Sequence, residues 1–259
     1  MRAAVVQFEA ATDVTANLGM IVPQVRAAAA AGADLVVLPE ASMHDFGAPD
    51  LLLGPVAQAL DGEFVTTLAA VTAELDLTLV AGMFEMSDDP DRPYNTLVVL
   101  GPDGDVVQTY RKAHLYDSFG YRESDRLLAG DLTSAVVDVG GLRCGLLTCY
   151  DLRFPEVSRG LVDAGADVLV VPAAWVRGPL KEAHWTTLLR ARAIENTTYV
   201  VGAAQAGRQY VGCSAVIDPM GVSVAALGDE VGLLLADLDR ARIADVRHRN
   251  PSLANRRTT

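Results

Sequence analysis

SAVVDVGGLRCGLLTCYDLRFPE (134–156) holds the pattern from which the rest of the chain is read. Two short apolar runs flank Gly140-Gly141, a hairpin signal. The second run leads to Cys149. YDLRFPE then reads as a turn into a helix behind Pro155, so backbone N–H groups are expected near the sulfur. Cys144 lies five residues before Cys149, and an odd offset on a strand places the two on opposite faces. Cys144 therefore reads as core, as does Cys213 in YVGCSAV.

Outward from this stretch, short apolar runs alternate with helical patterns. AAVVQF (3–8), DLVVLPE (34–40), TLVAGMFE (78–85) and DVLVVP (167–172) read as buried strands. Thr15–Ala31 reads as a helix ended by Gly32, Glu63–Leu75 as a second, Glu156–Gly165 as a short third and Lys181–Glu195 as a fourth. NTLVVLGPDGDVVQTYRK (95–112) repeats the hairpin pattern around Gly-Pro-Asp-Gly. TYVVGAAQ (198–205), YVGCSAVIDPMG (210–221) and VGLLLADLD (231–239) read as three late strands, and Asp239–His248 as a final helix. No linker or repeat is visible, so residues 1–259 read as a single domain. The expected fold class is α/β: a mixed sheet, or two sheets, with helices on the outer faces. The polar tail NPSLANRRTT (250–259) is expected either to cover a partner subunit or to be loose.

The chain is 51% hydrophobic and 21% charged, as in a globular enzyme, with only 6% aromatic residues. A net charge of −12 argues against nucleic acid and against anionic membranes as partners, since both need a basic face. It does not exclude an anionic small molecule. The N-terminus reads as a strand rather than a leader. No apolar run reaches the ~20 residues of a membrane span. Three scattered cysteines form no disulfide framework, which points to a reduced, cytoplasmic protein.

Three chemically active residues share one placement. Glu40, Lys112 and Cys149 each stand at or just past the end of an apolar strand, where α/β sheets gather ligands. A thiol with a pKa of roughly 8.5 needs a base or cation to attack. Glu40 can take its proton, and Lys112 can stabilise thiolate and oxyanion. A buried carboxylate and ammonium also offset each other's cost, so a purely structural ion pair is the competing reading. For Cys149 the competing reading is apolar filler. Glu123, in YRESDRLLAG, would place a second carboxylate near the lysine and push the two acids' pKa values apart; its competing reading is an exposed loop residue.

LPEAS (38–42), YRKAHLYD (110–117) and TCYDLRFPE (148–156) resemble the signature segments of the nitrilase superfamily of carbon–nitrogen hydrolases, and YRKAHLYD with CYDLRFPE most resembles its Nit branch of omega-amidases and deaminated-glutathione amidases. EAHWTTLLRARAIEN (182–196) and GCSAVIDPMG (212–221) fit as well. The resemblance implies a four-layer αββα sandwich with two mixed β-sheets, and a homodimer or larger homo-oligomer. It implies hydrolysis of a small-molecule amide through a thioester, with release of ammonia and without metal or organic cofactor. By position it makes Glu40 the general base, Lys112 the oxyanion-stabilising cation, Cys149 the nucleophile and Glu123 the auxiliary carboxylate. It assigns the Tyr150 N–H to the oxyanion hole, Arg153 to a substrate carboxylate and Trp175 to the pocket wall.

Three features depart from the Nit pattern. The Lys112–Glu123 segment is shorter than in many omega-amidases, WVRGPLKEAHW (175–185) is one residue longer and adds Arg177, and Met220 stands where Trp is common. Arg177 is either a second carboxylate anchor or a solvated loop cation, and Arg153 could instead pair with Glu156. Nitrilase or N-carbamoyl amino acid hydrolysis would use the same residues. A Cys–His hydrolase built on His114, expected on the same strand face as Lys112, and a non-catalytic binding protein are rivals from other classes. His44-Asp45 and Asp88–Asp91 lack regular ligand spacing, so no metal site is expected.

Overall fold

The computed structural model describes residues 1–257. In chain order the elements are β1 (Arg2–Gln7), α1 (Val14–Ala30), β2 (Leu35–Val37), α2 (Glu63–Leu75), β3 (Thr78–Glu85), β4 (Tyr94–Leu100), β5 (Val106–Arg111), β6 (Asp117–Ser118) and β7 (Tyr121–Arg122). They continue with β8 (Val136–Val139), β9 (Leu142–Leu146), α3 (Pro155–Asp163), β10 (Val168–Ala173), α4 (Lys181–Asn196), β11 (Tyr199–Ala204), β12 (Ala215–Ile217), β13 (Ser223–Ala226), β14 (Gly232–Asp237) and α5 (Arg240–Arg249).

Two six-stranded mixed sheets form, ordered β14-β1-β2-β3-β4-β5 and β8-β9-β10-β11-β12-β13. Each has three adjacent parallel strands (β1, β2, β3 and β9, β10, β11), one antiparallel strand on one side and an antiparallel pair on the other. The halves thus repeat one topology, although no sequence repeat announces it. β6 and β7 form a separate small hairpin.

Side-chain alternation along the strands sorts the apolar residues into three layers. Ala4, Val6 and Val36 pack with Ile21, Val25 and Leu68 of α1 and α2. Ala3, Val5, Leu35 and Val37 point the other way and meet Cys144, Leu146, Val168, Val170 and Val201 of the second sheet. Leu169, Val171 and Val200 pack under α3 and α4 with Leu161, Trp185 and Leu189. Three apolar layers between four structural ones make the αββα sandwich that the resemblance implies.

Several boundaries differ from the sequence reading. Only Leu35–Val37 of DLVVLPE is laddered; Pro39 has no N–H to continue it. YVGCSAVIDPMG is strand only at Ala215–Ile217, because Gly212 and Cys213 have φ of 61° and 56°, outside the range of a strand. β13, β6 and β7 lie in polar or broken stretches that show no strand periodicity. Gly140 and Gly141, at φ 53° and 78°, form the expected tight turn between Val139 and Leu142. The tail folds back on its own chain: Arg256 Nη1 is 2.5 Å from Asp163 Oδ1, and Leu253 packs on the outer apolar layer. Its last two positions, 258 and 259, lie outside the described residues.

Gly82 on β3 ties this framework to the Glu40 segment. A Cβ there would lie 2.8 Å from Ala41 N and Pro39 O and 2.9 Å from Glu40 Cα, all backbone atoms with no rotamer to yield. Gly19, exposed in the middle of α1, has nothing within 4 Å of such a Cβ. Gly82→Ala is expected to lower stability by about 1–3 kcal/mol through overpacking. Gly19→Ala is expected to raise it by roughly 0.5–1 kcal/mol by restricting the unfolded chain. Thermal unfolding of the two variants, with midpoints moving in opposite directions, checks both.

Candidate active site

Glu40 follows β2, Lys112 follows β5 and Cys149 follows β9. β5 runs in the same sense as β2 and β3, since two antiparallel steps restore direction, so Glu40 and Lys112 stand beyond the carboxyl ends of similarly oriented strands, and Cys149 stands beyond the carboxyl end of β9 in the second sheet. Lys112 Nζ lies 2.9 Å from Glu40 Oε1 and 2.8 Å from Glu123 Oε2. Glu40 and Lys112 are each 1% exposed and Glu123 is 2% exposed, so Glu123 is not a loop surface residue.

The two carboxylates are also held by neutral groups. Glu40 Oε1 accepts from Asn95 Nδ2 at 2.7 Å, and Oε2 accepts from the Ala174 N–H at 2.6 Å. The second contact comes from just past β10, so the opposite sheet helps hold the acid. Glu123 Oε2 accepts from the Tyr116 N–H at 2.5 Å. Gln205 donates to the Glu40 carbonyl at 3.0 Å. Asn95 and Gln205 were not expected from the sequence. The only signal for either is an amide side chain beside an otherwise apolar strand.

Burial and charge compete at Lys112. Burial alone would lower its pKa, but the carboxylates of Glu123 and Glu40 outweigh burial and hold it well above the usual lysine value. Lys112 is therefore a fixed cation. Glu123 is pushed up by burial and by the charge of Glu40, against the pull of Lys112. The Cys149 thiol is pushed well up by burial and by Glu40, with Lys112 opposing. The resting sulfur is protonated, beside a carboxylate. Cys144 is pushed up to about 12 by burial in the inter-sheet layer. The two cysteines do fall on opposite sides of the second sheet, although Cys149 itself lies beyond the strand in a 3-10 turn.

That turn spans Cys149–Arg153 and opens with Cys149 at φ 46°. A non-glycine residue in this region marks a backbone over-determined by its surroundings. The anchor is Asp151, fully buried, whose carboxylate accepts from Tyr110 Oη (2.8 Å), Thr148 N (3.0 Å), His114 N (3.0 Å) and His114 Nδ1 (2.8 Å). A carboxylate only accepts, so His114 carries its proton on Nδ1. His114 stacks on Phe154 with ring centroids 3.8 Å apart. It leaves the strand after Arg111, does not share a face with Lys112, and is absent from the cleft wall.

The triad and Cys149 form the floor of a cleft of about 400 Å³. Its wall includes Tyr116, Phe119, Tyr150, Arg153, Trp175 and Lys181. Arg153 lies over the Trp175 ring at 4.8 Å and makes one long contact, 3.4 Å, to His184 Nδ1. It does not pair with Glu156. Arg177 reaches the rim but is neutralised by Asp229 (2.9 Å) and Glu182 (3.3 Å). Met220 is 42% exposed and away from the cleft wall. His44 Nδ1 donates to the Asp45 carbonyl, and Asp45 accepts from Tyr210 Oη. Asp89 caps its own exposed turn.

Residues 2–248 match the carbon–nitrogen hydrolase family. The chain is 43% identical over 224 residues to a deaminated glutathione amidase of Escherichia coli O157:H7, covering 86% of this chain and 84% of that protein. It is 34% identical over 271 residues to the omega-amidase NIT2 of Mus musculus, covering 99% of this chain and 95% of that one. Its structure superposes, with a TM-score of 0.86, 28% identity and coverage of 99% and 94%, on a glutamate variant of the amidase from Nesterenkonia sp. AN1 showing covalent addition of the acetamide moiety of fluoroacetamide at the active site cysteine. With the expected fold and family match in place, this chain belongs to the carbon–nitrogen hydrolase family and is an amidase, a hydrolase of carbon–nitrogen bonds other than peptide bonds.

Proposed function

We propose that the chain hydrolyses the amide of a small, carboxylate-bearing substrate through a Cys149 thioester, releasing ammonia. The observation that carries this is one buried cation, Lys112, between Glu40 and Glu123 beside a protonated thiol, at the floor of a cleft with Arg153 on its wall.

The cycle follows from the charges. Glu40 takes the proton from Sγ as sulfur attacks the amide carbon. The oxygen gains negative charge and is held by Lys112 Nζ and by the N–H of Tyr150, one of the first amides of the 3-10 turn, which have no partner within that turn. Glu40 passes its proton to the amide nitrogen, and ammonia leaves. The same carboxylate then takes a proton from water, which attacks the thioester. The carboxylic acid departs and Sγ recovers its proton. Glu123 keeps Lys112 aimed and charged throughout. Arg153, over the Trp175 ring, offers a planar fork to a substrate carboxylate.

The relative with a covalent acetamide adduct on its cysteine supports the thioester step. Relatives named as deaminated glutathione amidase and omega-amidase support an acyl group that carries a carboxylate. The reading includes a homodimer or larger homo-oligomer in a reducing cytoplasm. Ile194, 50% exposed on α4, and the three free cysteines support those parts. Sedimentation at the mass of one chain would end the oligomer part.

Cys149→Ala is expected to abolish ammonia release with the thermal midpoint nearly retained, since the change removes one small group. Turnover by that variant would sink the proposal. A panel of 2-oxosuccinamate, 2-oxoglutaramate, deaminated glutathione, aliphatic amides, N-carbamoyl amino acids and nitriles is expected to favour carboxylated amides. Preference for neutral amides or nitriles would overturn the substrate class.

Lys112→Met removes an oxyanion donor and is expected to cost about 10²–10³ in kcat. It also leaves two buried carboxylates unpaired and lowers stability by roughly 3–5 kcal/mol. His114→Ala is expected to retain far more activity than Lys112→Met. The reverse order in steady-state kinetics would restore the Cys–His alternative.

A further inference from the structure

Charged groups of the cleft divide into two kinds. Lys112 is matched by two carboxylates, and Arg177 by Asp229 and Glu182. Arg126 has no acid partner, but its donors go to the Leu51 and Phe46 carbonyls and to Tyr121 Oη. Arg153 and Lys181 are different. Among the described residues neither has a carboxylate within ion-pair distance. Arg153 Nε is buried without a hydrogen-bond partner. Lys181 is 6% exposed, yet its ammonium makes one side-chain hydrogen bond, to Tyr116 Oη at 2.6 Å.

The two cations are neighbours. Both lie over the Trp175 ring, Arg153 Cζ at 4.8 Å and Lys181 Nζ at 5.9 Å from its centroid. Lys181 also faces the rings of Phe119 (4.3 Å) and Tyr116 (4.6 Å). The aromatic faces attract the ammonium but give its remaining N–H groups no lone pair. Burial and the charge of Arg153 both lower the lysine's pKa, so its surroundings oppose its charge. Lys181 is moreover the first residue of α4, where the helix dipole is positive and a cation is disfavoured. Two like charges and a helix N-terminus converge on one wall, in a chain of net charge −12, with no protein anion between them. A ligand that supplies the anion would stabilise such an arrangement.

We infer that Lys181 is a substrate-binding residue that, together with Arg153, receives one carboxylate of the substrate and sets the preference for anionic over neutral amides. The carboxylate bridges the guanidinium fork and the ammonium above Trp175, with Tyr116 Oη holding the ammonium in place. The inference rests on the amidase reading above and deepens it, because that reading needs Arg153 alone. Lys181 lies in the segment that departs from the Nit pattern, so the shared family motifs do not assign it.

The test uses the best carboxylated amide of the panel and the neutral amide in which a methyl group replaces its carboxylate, for example 2-oxoglutaramate against 4-oxopentanamide. The readout is the ratio of their kcat/KM values. Lys181→Met is expected to lower that ratio by roughly tenfold or more, through KM of the carboxylated amide, as loss of a charge-assisted hydrogen bond implies. Lys181→Arg, which keeps the charge, is expected to restore most of it. A ratio within twofold of the parent in Lys181→Met overturns the inference, whether both substrates are unaffected or both decline together, as they would if the lysine served Cys149 or the fold. If Arg153→Met lowers the ratio and Lys181→Met does not, the carboxylate reading stands and only the second cation fails. If the parent protein shows no preference for carboxylated amides, both fall.

Discussion

A single ammonium held between two carboxylates in the dry space at the sheet ends is the interaction on which the molecule depends. Lys112, Glu40 and Glu123 come from segments 72 and 11 residues apart. None of them tolerates burial alone, since an isolated buried charge costs several kcal/mol. Their mutual neutralisation is possible only when β2, β5 and the turn after β7 have converged. The Ala174 N–H on Glu40 adds the condition that the second sheet has docked. The complete charge cluster therefore exists only in the closed sandwich.

Cys149, the proposed nucleophile, is held by a turn that groups from both halves of the fold secure. Asp151 collects four donors from Tyr110, His114 and Thr148, and so fixes the turn that sets Cys149 at positive φ. The histidine that invites comparison with a Cys–His enzyme is consumed in this structural task. In the proposed cycle proton transfer falls to Glu40, and the thiol pKa, pushed up by burial and by the charge of Glu40, accords with a proton that stays on sulfur until an acyl carbon arrives. That cycle gives the base to a carboxylate, because burial at Lys112 is outweighed by Glu123 and Glu40, which hold its positive charge.

The proposed specificity resides in a different layer of the cleft. On the floor every charge has an opposite partner, whereas on the wall Arg153 and Lys181 have none among the described residues. Trp175, Tyr116 and Phe119 give that wall flat apolar faces, on which cations sit without being neutralised. The short hairpin of β6 and β7 places Phe119, 71% exposed, at the mouth. Segments 112–123 and 175–185 thus both line the cleft, through Tyr116 and Phe119 and through Trp175 and Lys181.

Much of this was legible in the residues alone, and for definable reasons. Apolar periodicity marks α1, α2, α4 and the parallel strands, because burial on both faces of a strand demands continuous runs. Gly-Gly and Gly-Pro-Asp-Gly mark both hairpins, because only certain residues accept those dihedrals. Motif spacing singles out Glu40, Lys112, Glu123 and Cys149. Other features exist only in three dimensions. The pairing of two topologically equal sheets leaves no sequence repeat, since packing constrains polarity and volume rather than identity. β13 is too short and too mixed to show a period. Asn95 and Gln205 are ordinary amides until Glu40 is placed between them. Lys181 looks like a helix-start lysine on a soluble surface. Only the folded chain shows it buried against aromatic rings, with Arg153 beside it and no anion of its own, because counterions are matched across space and not along the sequence.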